Sequence, residues 1–337
     1  MQKETLQDKI AIILPVFNSS KYLEPCLQSI FNQTFTNFMI FAINDGSTDE
    51  SGNILDKYAS LDPRIKVVHK KNEGVSAARN YALDLIEMND TFNYISFVDS
   101  DDVLSPNFLK LHLESIKRAD ADVSICGFLF IAEDGSLHQL RPTLSKRAFN
   151  GDEYINLIFS KNEWSNGNGA GGMVWKQIYR ANAIQGIRFP KDPSVQDDEI
   201  YGVMVAQRAK LFVYIPEALY FYRQSSNSLC KDKNFQISRL NGRKMCVNNC
   251  QNLTEEVRLV IFASYIESVL SLMKKDLVEI DLAPYTTSVD RAYNLGAMKT
   301  KTFLLFYLFK NCSILAKCYI YLRKGFKKFR GLLRLRV

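Results

Sequence analysis

Three carboxylates are crowded into the stretch FVDSDDV at residues 97–103. Asp99, Asp101 and Asp102 follow an apolar run that is typical of a buried strand. Like charges this close repel each other and burial strengthens the repulsion, so a cation is expected beside them. Mg²⁺ and Mn²⁺ prefer carboxylate and phosphate oxygens, which predicts a metal site with a second carboxylate left for a ribose hydroxyl. Taken alone, the stretch also fits a helix cap formed by Asp102 or Ser105.

Asp45 lies in a second polar stretch, NDGSTDES, which also follows an apolar run. Ser47 and Glu50 in this stretch have the spacing of a capping box at the start of a helix. That local role does not need Asp45. A carboxylate at the end of a strand can accept a hydrogen bond from the ring N–H of a base such as uracil, so Asp45 is a candidate for binding a base.

A third polar stretch, NEGVSAARN at residues 72–80, opens a predicted helix. Ser76, Arg79 and Asn80 are spaced so that they share one face of this helix. The positive end of the helix and the guanidinium both favour an anion nearby. An ordinary surface arginine is the alternative that this stretch alone leaves open.

Alternating strands and helices position these three stretches. Apolar runs predict strands at 10–16, 38–43, 65–68, 94–98 and 123–131, and helical spacing predicts helices at 21–31, 48–58, 74–86 and 106–119. Further along, helices are predicted at 196–207, 235–247 and 255–273, and two short strands at 211–215 and 218–222 around Pro216. The alternation predicts an α/β fold with a mostly parallel sheet, in which ligands bind beyond the carboxyl ends of the strands.

Composition indicates a soluble globular protein with reduced thiols. The 337 residues are 47% hydrophobic and 23% charged, which is ordinary for a folded domain large enough for a substantial core. The seven cysteines form no CxxC pair, and the polar N-terminus does not read as a secretion signal. We therefore expect a cytoplasmic location and no structural zinc.

Charge is concentrated at the C-terminal end. Residues 301–337 contain ten Lys or Arg and no Asp or Glu, which leaves a net charge of −3 on the rest of a chain whose total is +7. The apolar runs of this segment are shorter than the roughly 20 residues of a spanning helix. Basic residues interleaved with Phe, Leu and Tyr predict an interfacial helix on anionic lipid. A helix packed on the body is the alternative, and nucleic acid is not an expected partner.

Seven stretches follow one another in a recognisable order. They are ILPVFNSSKYLEPCLQSIFNQTF, INDGSTDES, NEGVSAARN, FVDSDD, VWKQIYRANAIQGIRFP, VQDDEI and YFYRQSSNSL. Together, over about residues 9 to 230, they resemble the family 2 glycosyltransferases of bacterial capsule, exopolysaccharide and lipopolysaccharide synthesis, nucleotide-sugar enzymes of the GT-A fold. Phe17 and the pair Gln196-Asp197 depart from the commoner residues of that family.

The resemblance implies a binding site for a UDP-sugar and Mn²⁺ or Mg²⁺. The nucleotide-sugar residues that it implies are Pro15, Val16, Asn18, Asp45, Asn72, Arg79, Asp99 and Ser100. Asp45 would pair with uracil, Arg79 would lie near the base or the diphosphate, and Asp99 would contact the ribose or the donor sugar. Asp101 would bind the metal, with Asp99 and Asp102 in support.

A catalytic base is also implied. Asp198 falls where the family's base lies, with Asp197 and Glu199 as reserves, and it would take the proton of the attacking acceptor hydroxyl. Acidic residues in the first turn of a helix are the local alternative. Arg223, Gln224 and Trp175 are further candidates for contact with the diphosphate or acceptor.

The domain organisation follows from these assignments. Residues 1–228 are expected to form the GT-A catalytic domain, with a nucleotide-sugar half at about 1–130 and an acceptor half at about 131–228. A helical extension at 229–300 and the basic amphipathic tail at 301–337 would follow. The tail would hold the enzyme at the inner face of the cell membrane, near a lipid-linked glycan acceptor, and a homo-oligomer is compatible with the sequence.

Two rival functions share part of the pattern. Asp99-Ser100-Asp101-Asp102-Val103 also fits a haloacid-dehalogenase-like phosphatase, in which Asp99 would be the nucleophile. That reaction would leave Asp45 and Arg79 without a role. A non-catalytic glycan-assembly protein is the second rival, and it would be expected to lack the Asp-x-Asp or the base.

Overall fold

The chain forms two compact units, Met1–Leu229 and Cys230–Val337, in the computed structural model. The structure describes residues 8–89, 91–132, 136–139, 147–159, 172–192, 195, 197–223, 233–273, 275, 277–278 and 280–311. Gln224 and most of the predicted basic tail lie outside these ranges.

Strands and helices alternate through the first unit. Its strands are β1 Ile10–Val16, β2 Phe38–Asp45, β3 Ile65–Lys70, β4 Tyr94–Phe97, β5 Val103–Leu104, β6 Val123–Ile131, β7 Leu137–Gln139, β8 Ala148–Phe149, β9 Gln177–Arg180 and β10 Phe212–Arg223. Its helices are α1 Ser20–Phe31, α2 Ser51–Leu61, α3 Val75–Glu87, α4 Phe108–Ala119, α5 Gly151–Phe159, α6 Ala181–Ile184 and α7 Asp197–Ala206.

The described strands of this unit form one mixed sheet. Their order is β3-β2-β1-β4-β9-β6-β10-β5, with β7 paired to β6 and β8 paired to β10. The pairs β1–β2, β2–β3, β1–β4 and β6–β10 are parallel, whereas β9 runs antiparallel between β4 and β6. The carboxyl ends of β1, β2, β3 and β4 therefore meet at one edge. At this edge NDGSTDES follows β2, NEGVSAARN follows β3 and the aspartates of FVDSDDV follow β4.

Burial explains why the central strands are apolar along their whole length. Every residue of β1 is buried, and seven of the eight residues of β2 are buried as well. A parallel strand covered by helices on both faces has no solvent side, so it carries a continuous apolar run rather than an alternating one. The helices supply the covering apolar faces, as α4 does with buried Phe108, Leu109 and Leu113.

The prediction of two short strands around Pro216 is wrong. Residues 212–223 form the single strand β10, whose pairing with β6 shifts register between Ile215 and Tyr220. A proline cannot donate to a sheet ladder, but a bulge accommodates it without ending the strand. On β6, Gly127 provides the space, because a Cβ there would lie 2.9 Å from the Pro216 carbonyl oxygen.

The second unit is helical among its described residues. It contains α8 Lys233–Asn248, α9 Glu255–Met273, α10 Thr286–Asn294 and α11 Thr300–Asn311, packed around one apolar cluster. Leu305 and Phe306 of α11 are buried in this cluster with α9 and α10. The first eleven residues of the predicted tail thus belong to a packed helix. None of the helices in the described ranges has the length and apolar character needed to cross a membrane.

Candidate functional site

Arg79 is the central residue of the polar edge. It lies on α3 with its side chain only 5% exposed, and it forms ion pairs with three carboxylates. Its Nη2 is 3.0 Å from Asp99 Oδ1, and its Nη1 is 2.9 Å from Asp198 Oδ1 and 3.3 Å from Asp197 Oδ2. The guanidinium also lies over the ring of Phe189, with 5.1 Å between Cζ and the ring centroid.

Charge balance keeps Arg79 ionised. Burial by itself would lower the pKa of Arg79, but the charges of Asp198, Asp197 and Asp99 outweigh it and hold the pKa above its usual value. The stretch NEGVSAARN therefore does not place an ordinary arginine on the surface. It places a permanent cation inside a carboxylate cluster.

Asp197 and Asp198, at the start of α7, are bound differently. Oδ2 of Asp197 accepts hydrogen bonds from Ser76 Oγ at 2.6 Å and from Arg79. Asp198 accepts only the Arg79 bond among the described residues, and that bond is at Oδ1. Its Oδ2 is therefore available to another hydrogen-bond donor. Glu199 is 5% exposed and packs against Gly172.

The pKa of Asp198 is raised above the ordinary carboxyl range. Burial is the main cause, the positive charge of Arg79 opposes it, and the negative charges of Asp197 and Asp99 add to it. One cation shared among three carboxylates cannot compensate each of them fully. Asp198 consequently has a higher proton affinity than a surface aspartate.

The three aspartates of FVDSDDV point to different partners. Asp99 binds Arg79, and Asp102 is fully buried and accepts hydrogen bonds at both oxygens, from Tyr220 Oη and from the main-chain N–H of Arg223. The Asp101 carboxylate accepts no hydrogen bond from another described residue. Burial and the charge of Asp99 raise the pKa of Asp101 to about 6. Asp102 thus links this loop to β10 and does not cap α4.

A divalent metal fits this arrangement. Within the described ranges, no three His, Cys, Asp or Glu side chains are grouped so that they could hold a metal ion alone. Mg²⁺, however, is commonly bound by one or two carboxylates that act together with substrate phosphates. Asp101 offers such a carboxylate, and a cation there would relieve the repulsion from Asp99 that now raises its pKa.

Asp45, at the end of β2, is held from several sides. Its carboxylate pairs with Lys70 at 2.6 Å and accepts hydrogen bonds from the main-chain N–H groups of Glu73 and Gly74. These bonds tie the end of β2 to the loop before α3. Asn72 is exposed in that loop, and its main-chain N would lie only 2.7 Å from a Cβ placed on Gly46. Gly46 has φ +77°, so both its conformation and its contact favour glycine.

The loops after β1 and β2 are tied together by Asn18. Its Oδ1 accepts a hydrogen bond from Thr48 N at 2.8 Å, and its own N–H donates to Ser47 Oγ. Ser47 therefore serves a contact between loops, and the capping-box prediction is wrong, because α2 begins at Ser51 without a side-chain cap. Pro15 and Val16 are buried at the end of β1.

Of the remaining predicted site residues, Ser100 and Arg223 lie beside the FVDSDDV loop and Trp175 lies in the core. Ser100 is buried and its Oγ lies 2.7 Å from Ser19 Oγ. Arg223 Nε donates to the main-chain oxygen of Asp101. Trp175 is only 3% exposed and stacks on Tyr222 in the core. This is the usual state of a core tryptophan, and contact of Trp175 with the diphosphate or acceptor stays a prediction.

Sequence reasoning missed several residues that position the site. Lys70 pairs with Asp45, Tyr220 bonds Asp102, and Phe189 lies beneath Arg79. Asn80 holds the Phe189 main chain through two hydrogen bonds, 2.8 and 3.0 Å long. Ser76, Arg79 and Asn80 share one helix face, and each side chain bonds to a residue more than 100 positions away. That shared face was the sequence signal that pointed to these contacts.

The mixed sheet, with carboxylates and a buried arginine at its carboxyl edge, agrees with the GT-A fold that the sequence predicts. The Glycosyl transferase family 2 model matches residues 11–183. This chain belongs to that family. The interpretation as a haloacid-dehalogenase-like phosphatase has no support from the match.

Similar proteins agree with this assignment. The chain is 30% identical over 229 residues to the glycosyltransferase GlyA of Streptococcus pneumoniae, covering 67% of this chain and 32% of GlyA. It is 28% identical to the uncharacterized glycosyltransferase EpsJ of Bacillus subtilis, covering 65% of this chain and 62% of EpsJ. The chain thus spans about a third of GlyA and less than two thirds of EpsJ.

Solved structures confirm the fold prediction. Residues 1–349 of TarS from S. aureus, in complex with UDP-GlcNAc, have a TM-score of 0.66 at 19% identity, covering 92% of this chain and 89% of that one. The mannosyltransferase PcManGT from Pyrobaculum calidifontis, in complex with GDP-Man and Mn²⁺, has a TM-score of 0.50 at 12% identity, covering 92% and 86%. At these identities the likeness establishes the GT-A fold.

Replacing Arg79 by glutamine is expected to destabilise the first unit strongly. Arg79→Gln leaves Asp99, Asp197 and Asp198 without their cation, and removing one partner of a buried ion pair costs about 3 to 5 kcal/mol. Urea unfolding at pH 7 measures the loss. Arg188→Gln is the matched control, since Arg188 pairs with Asp84 and Glu87 in a more exposed position, where ion pairs contribute below about 1 kcal/mol.

The loss of unfolding free energy in Arg79→Gln should depend on pH. The pKa of Asp198 is raised in the folded protein and should rise further without Arg79, so the folded variant binds protons that the unfolded chain does not. Stability linked to a raised carboxyl pKa is present at low pH and is lost as pH rises. The deficit of Arg79→Gln should therefore be smaller at pH 5 than at pH 7. Equal deficits for Arg79→Gln and Arg188→Gln would contradict the central role of Arg79.

Proposed function

We propose that this protein transfers a sugar from a UDP-sugar to a hydroxyl of a glycan acceptor, with inversion at the anomeric carbon. The observation that carries the proposal is the Arg79 guanidinium, which binds Asp99 with one nitrogen and Asp198 with the other. A carboxylate from the expected donor loop and the expected base from α7 are thereby brought to one point at the carboxyl edge of the sheet. Family membership supports the same reaction class.

Asp198 is the proposed general base. An acceptor hydroxyl must lose its proton as its oxygen attacks the anomeric carbon, and a carboxylate with a raised pKa takes that proton more readily than an ordinary one. Oδ2 of Asp198 accepts no hydrogen bond from the described residues, while Asp197 is bound by both Ser76 and Arg79. A single displacement of this kind inverts the configuration, so an α-linked donor gives a β-linkage.

The donor would lie along the ends of β1, β2 and β4. Asp45 is proposed to face the uracil, with Asn18 and Asn72 beside it, and Asp99 and Ser100 would face the ribose or the sugar. The complex of TarS with UDP-GlcNAc supports a uridine nucleotide as the donor. Arg79 is proposed to act indirectly, because its guanidinium is buried and already bound to three carboxylates.

Asp101 is the proposed metal ligand, supported by Asp99. Mn²⁺ or Mg²⁺ bound there would neutralise the charge on the departing diphosphate. Asp102 is not proposed as a ligand, since both of its oxygens accept hydrogen bonds from the protein.

The acceptor is proposed to be a lipid-linked glycan of a cell-surface polysaccharide, such as capsule or lipopolysaccharide. Residues 312–337 contain eight Lys or Arg and no acidic residue, interleaved with aliphatic and aromatic residues. Such a segment would bind the anionic inner face of the cell membrane and bring the enzyme to its acceptor. Because α11 is packed in the second unit, this role is assigned to the residues after Asn311.

Asp198→Asn should abolish transfer and preserve UDP binding. Amide nitrogen and oxygen cannot accept the proton, so turnover should fall at least about a hundredfold, as is usual when a general base is lost. UDP release from UDP-sugars with Mn²⁺ measures turnover, and calorimetry measures UDP affinity. Asp84→Asn, on the outer side of α3, is the control, and full turnover by Asp198→Asn would remove Asp198 as the base.

The turnover of the wild type should also depend on pH. Because the pKa of Asp198 lies above the ordinary carboxyl range, turnover should keep rising as pH increases beyond that range.

Asp101→Asn should weaken only the metal-dependent part of UDP binding. The loss of a charged metal ligand is expected to lower UDP affinity in Mn²⁺ by about tenfold or more. In EDTA the variant and the wild type should bind UDP alike. Asp120→Asn, at a highly exposed carboxylate paired with Arg180, serves as the control. An unchanged Mn²⁺ dependence in Asp101→Asn would exclude Asp101 as the ligand.

Deleting residues 312–337 should release the protein from anionic vesicles and leave both described units folded. Eight positive charges are removed, and each contributes about 1 kcal/mol near an anionic surface. Co-sedimentation with vesicles containing phosphatidylglycerol measures binding, and neutral phosphatidylcholine vesicles are the control. Sedimentation of the truncated protein equal to that of the full chain would contradict the membrane role.

A further inference from the structure

Tyr220 connects two of the aspartates in FVDSDDV. Its ring is fully buried on β10, and its hydroxyl donates to Asp102 Oδ2 at 2.7 Å. The same hydroxyl oxygen accepts a hydrogen bond from the main-chain N–H of Asp99 at 3.2 Å. One phenol thus joins the side chain of Asp102 to the backbone that carries Asp99.

Arg223, three residues further along β10, completes the connection. Its main-chain N–H donates to Asp102 Oδ1 at 2.7 Å, and its Nε donates to the main-chain oxygen of Asp101 at 2.9 Å. Its guanidinium lies over the ring of Tyr22, 4.5 Å from the centroid. Antiparallel pairing of Tyr220 with Leu104, next to this loop, fixes the register of the two segments.

Both carboxylate oxygens of Asp102 therefore accept a hydrogen bond from β10. A carboxylate that accepts two hydrogen bonds in a fully buried position is expensive to strip of its donors. The loop of residues 99–102 is therefore held by β10 through Asp102, while the Asp99 carboxylate pairs with Arg79 and the Asp101 carboxylate accepts no hydrogen bond from another described residue.

We propose that Tyr220 and Asp102 are positioning residues, which hold Asp99 and Asp101 in the geometry that binds the metal and the UDP diphosphate. This inference rests on the proposed function. The Tyr220 hydroxyl acts through the Asp99 main chain and the Asp102 carboxylate, so neither residue touches the metal or the nucleotide. Freeing this loop would loosen Asp101 and would also disturb the pair formed by Asp99 and Arg79.

Tyr220→Phe tests the inference, with Tyr214→Phe as the matched control. Tyr214 lies on the same strand and is also buried, but its hydroxyl makes no hydrogen bond to any described residue. Calorimetric titration of UDP at a series of Mn²⁺ concentrations gives the Mn²⁺ concentration that half-saturates the metal-dependent binding. Loss of an outer partner of a metal site should raise that concentration about tenfold in Tyr220→Phe and leave it unchanged in Tyr214→Phe. UDP affinity in EDTA should be the same in all three proteins.

Asp102→Asn provides the second variant and separates positioning from ligation. An asparagine keeps the shape but can accept only at its oxygen, so positioning predicts a similar shift in both Tyr220→Phe and Asp102→Asn. A shift in Asp102→Asn without one in Tyr220→Phe would show that Asp102 acts independently of the phenol, and that result would overturn the inference. Wild-type behaviour of both variants would overturn it as well. A thermal melt checks that each variant is folded. If Tyr220→Phe does not fold, Asp102→Asn alone tests the inference.

The proposed function fails in a different way. If the wild type shows no Mn²⁺-dependent UDP binding, the donor site and this inference fall together. If the wild type binds UDP with Mn²⁺ and the variants match it, only the positioning role is lost.

Discussion

The ion pairs of Arg79 are the interaction on which the rest of the site depends. Asp99, Asp197 and Asp198 are brought to one edge by the fold, and their mutual repulsion in a partly buried position would oppose folding without a cation. The guanidinium offers two nitrogens to different carboxylates at once, and a lysine ammonium would not match this planar geometry. The charge of Arg79 is therefore a structural condition for keeping acidic groups at this edge.

The carboxylates of the site differ because their partners differ. Asp197 and Asp102 are both bound by two donors, which makes them part of the framework. Asp198 has a raised pKa and one oxygen that accepts no hydrogen bond from the described residues, and the Asp101 carboxylate accepts none from another described residue. Chemistry is expected where the protein has left a carboxylate incompletely satisfied, since such a group can still bind a proton or a cation.

Much of the first unit could be predicted from sequence, because its central strands are buried on both faces and carry long apolar runs. Predictions failed where a tertiary contact replaced a local one. Pro216 in the sequence predicts a break between two strands, yet a bulge beside Gly127 lets β10 continue. Ser47 had the spacing of a cap but bonds Asn18, a residue from the preceding loop.

The sequence by itself determined which residue types follow each strand, and hence that acidic, amide and basic groups meet at one edge of a mostly parallel sheet. Only the tertiary structure decided their partners. Arg79 and Asp198 are 119 positions apart, and no local pattern states that they touch. The same holds for Trp175, which packs against Tyr220 and Tyr222 of β10. Spacing along a chain specifies a helix face or a strand end, but a hydrogen bond between distant segments depends on how those elements pack.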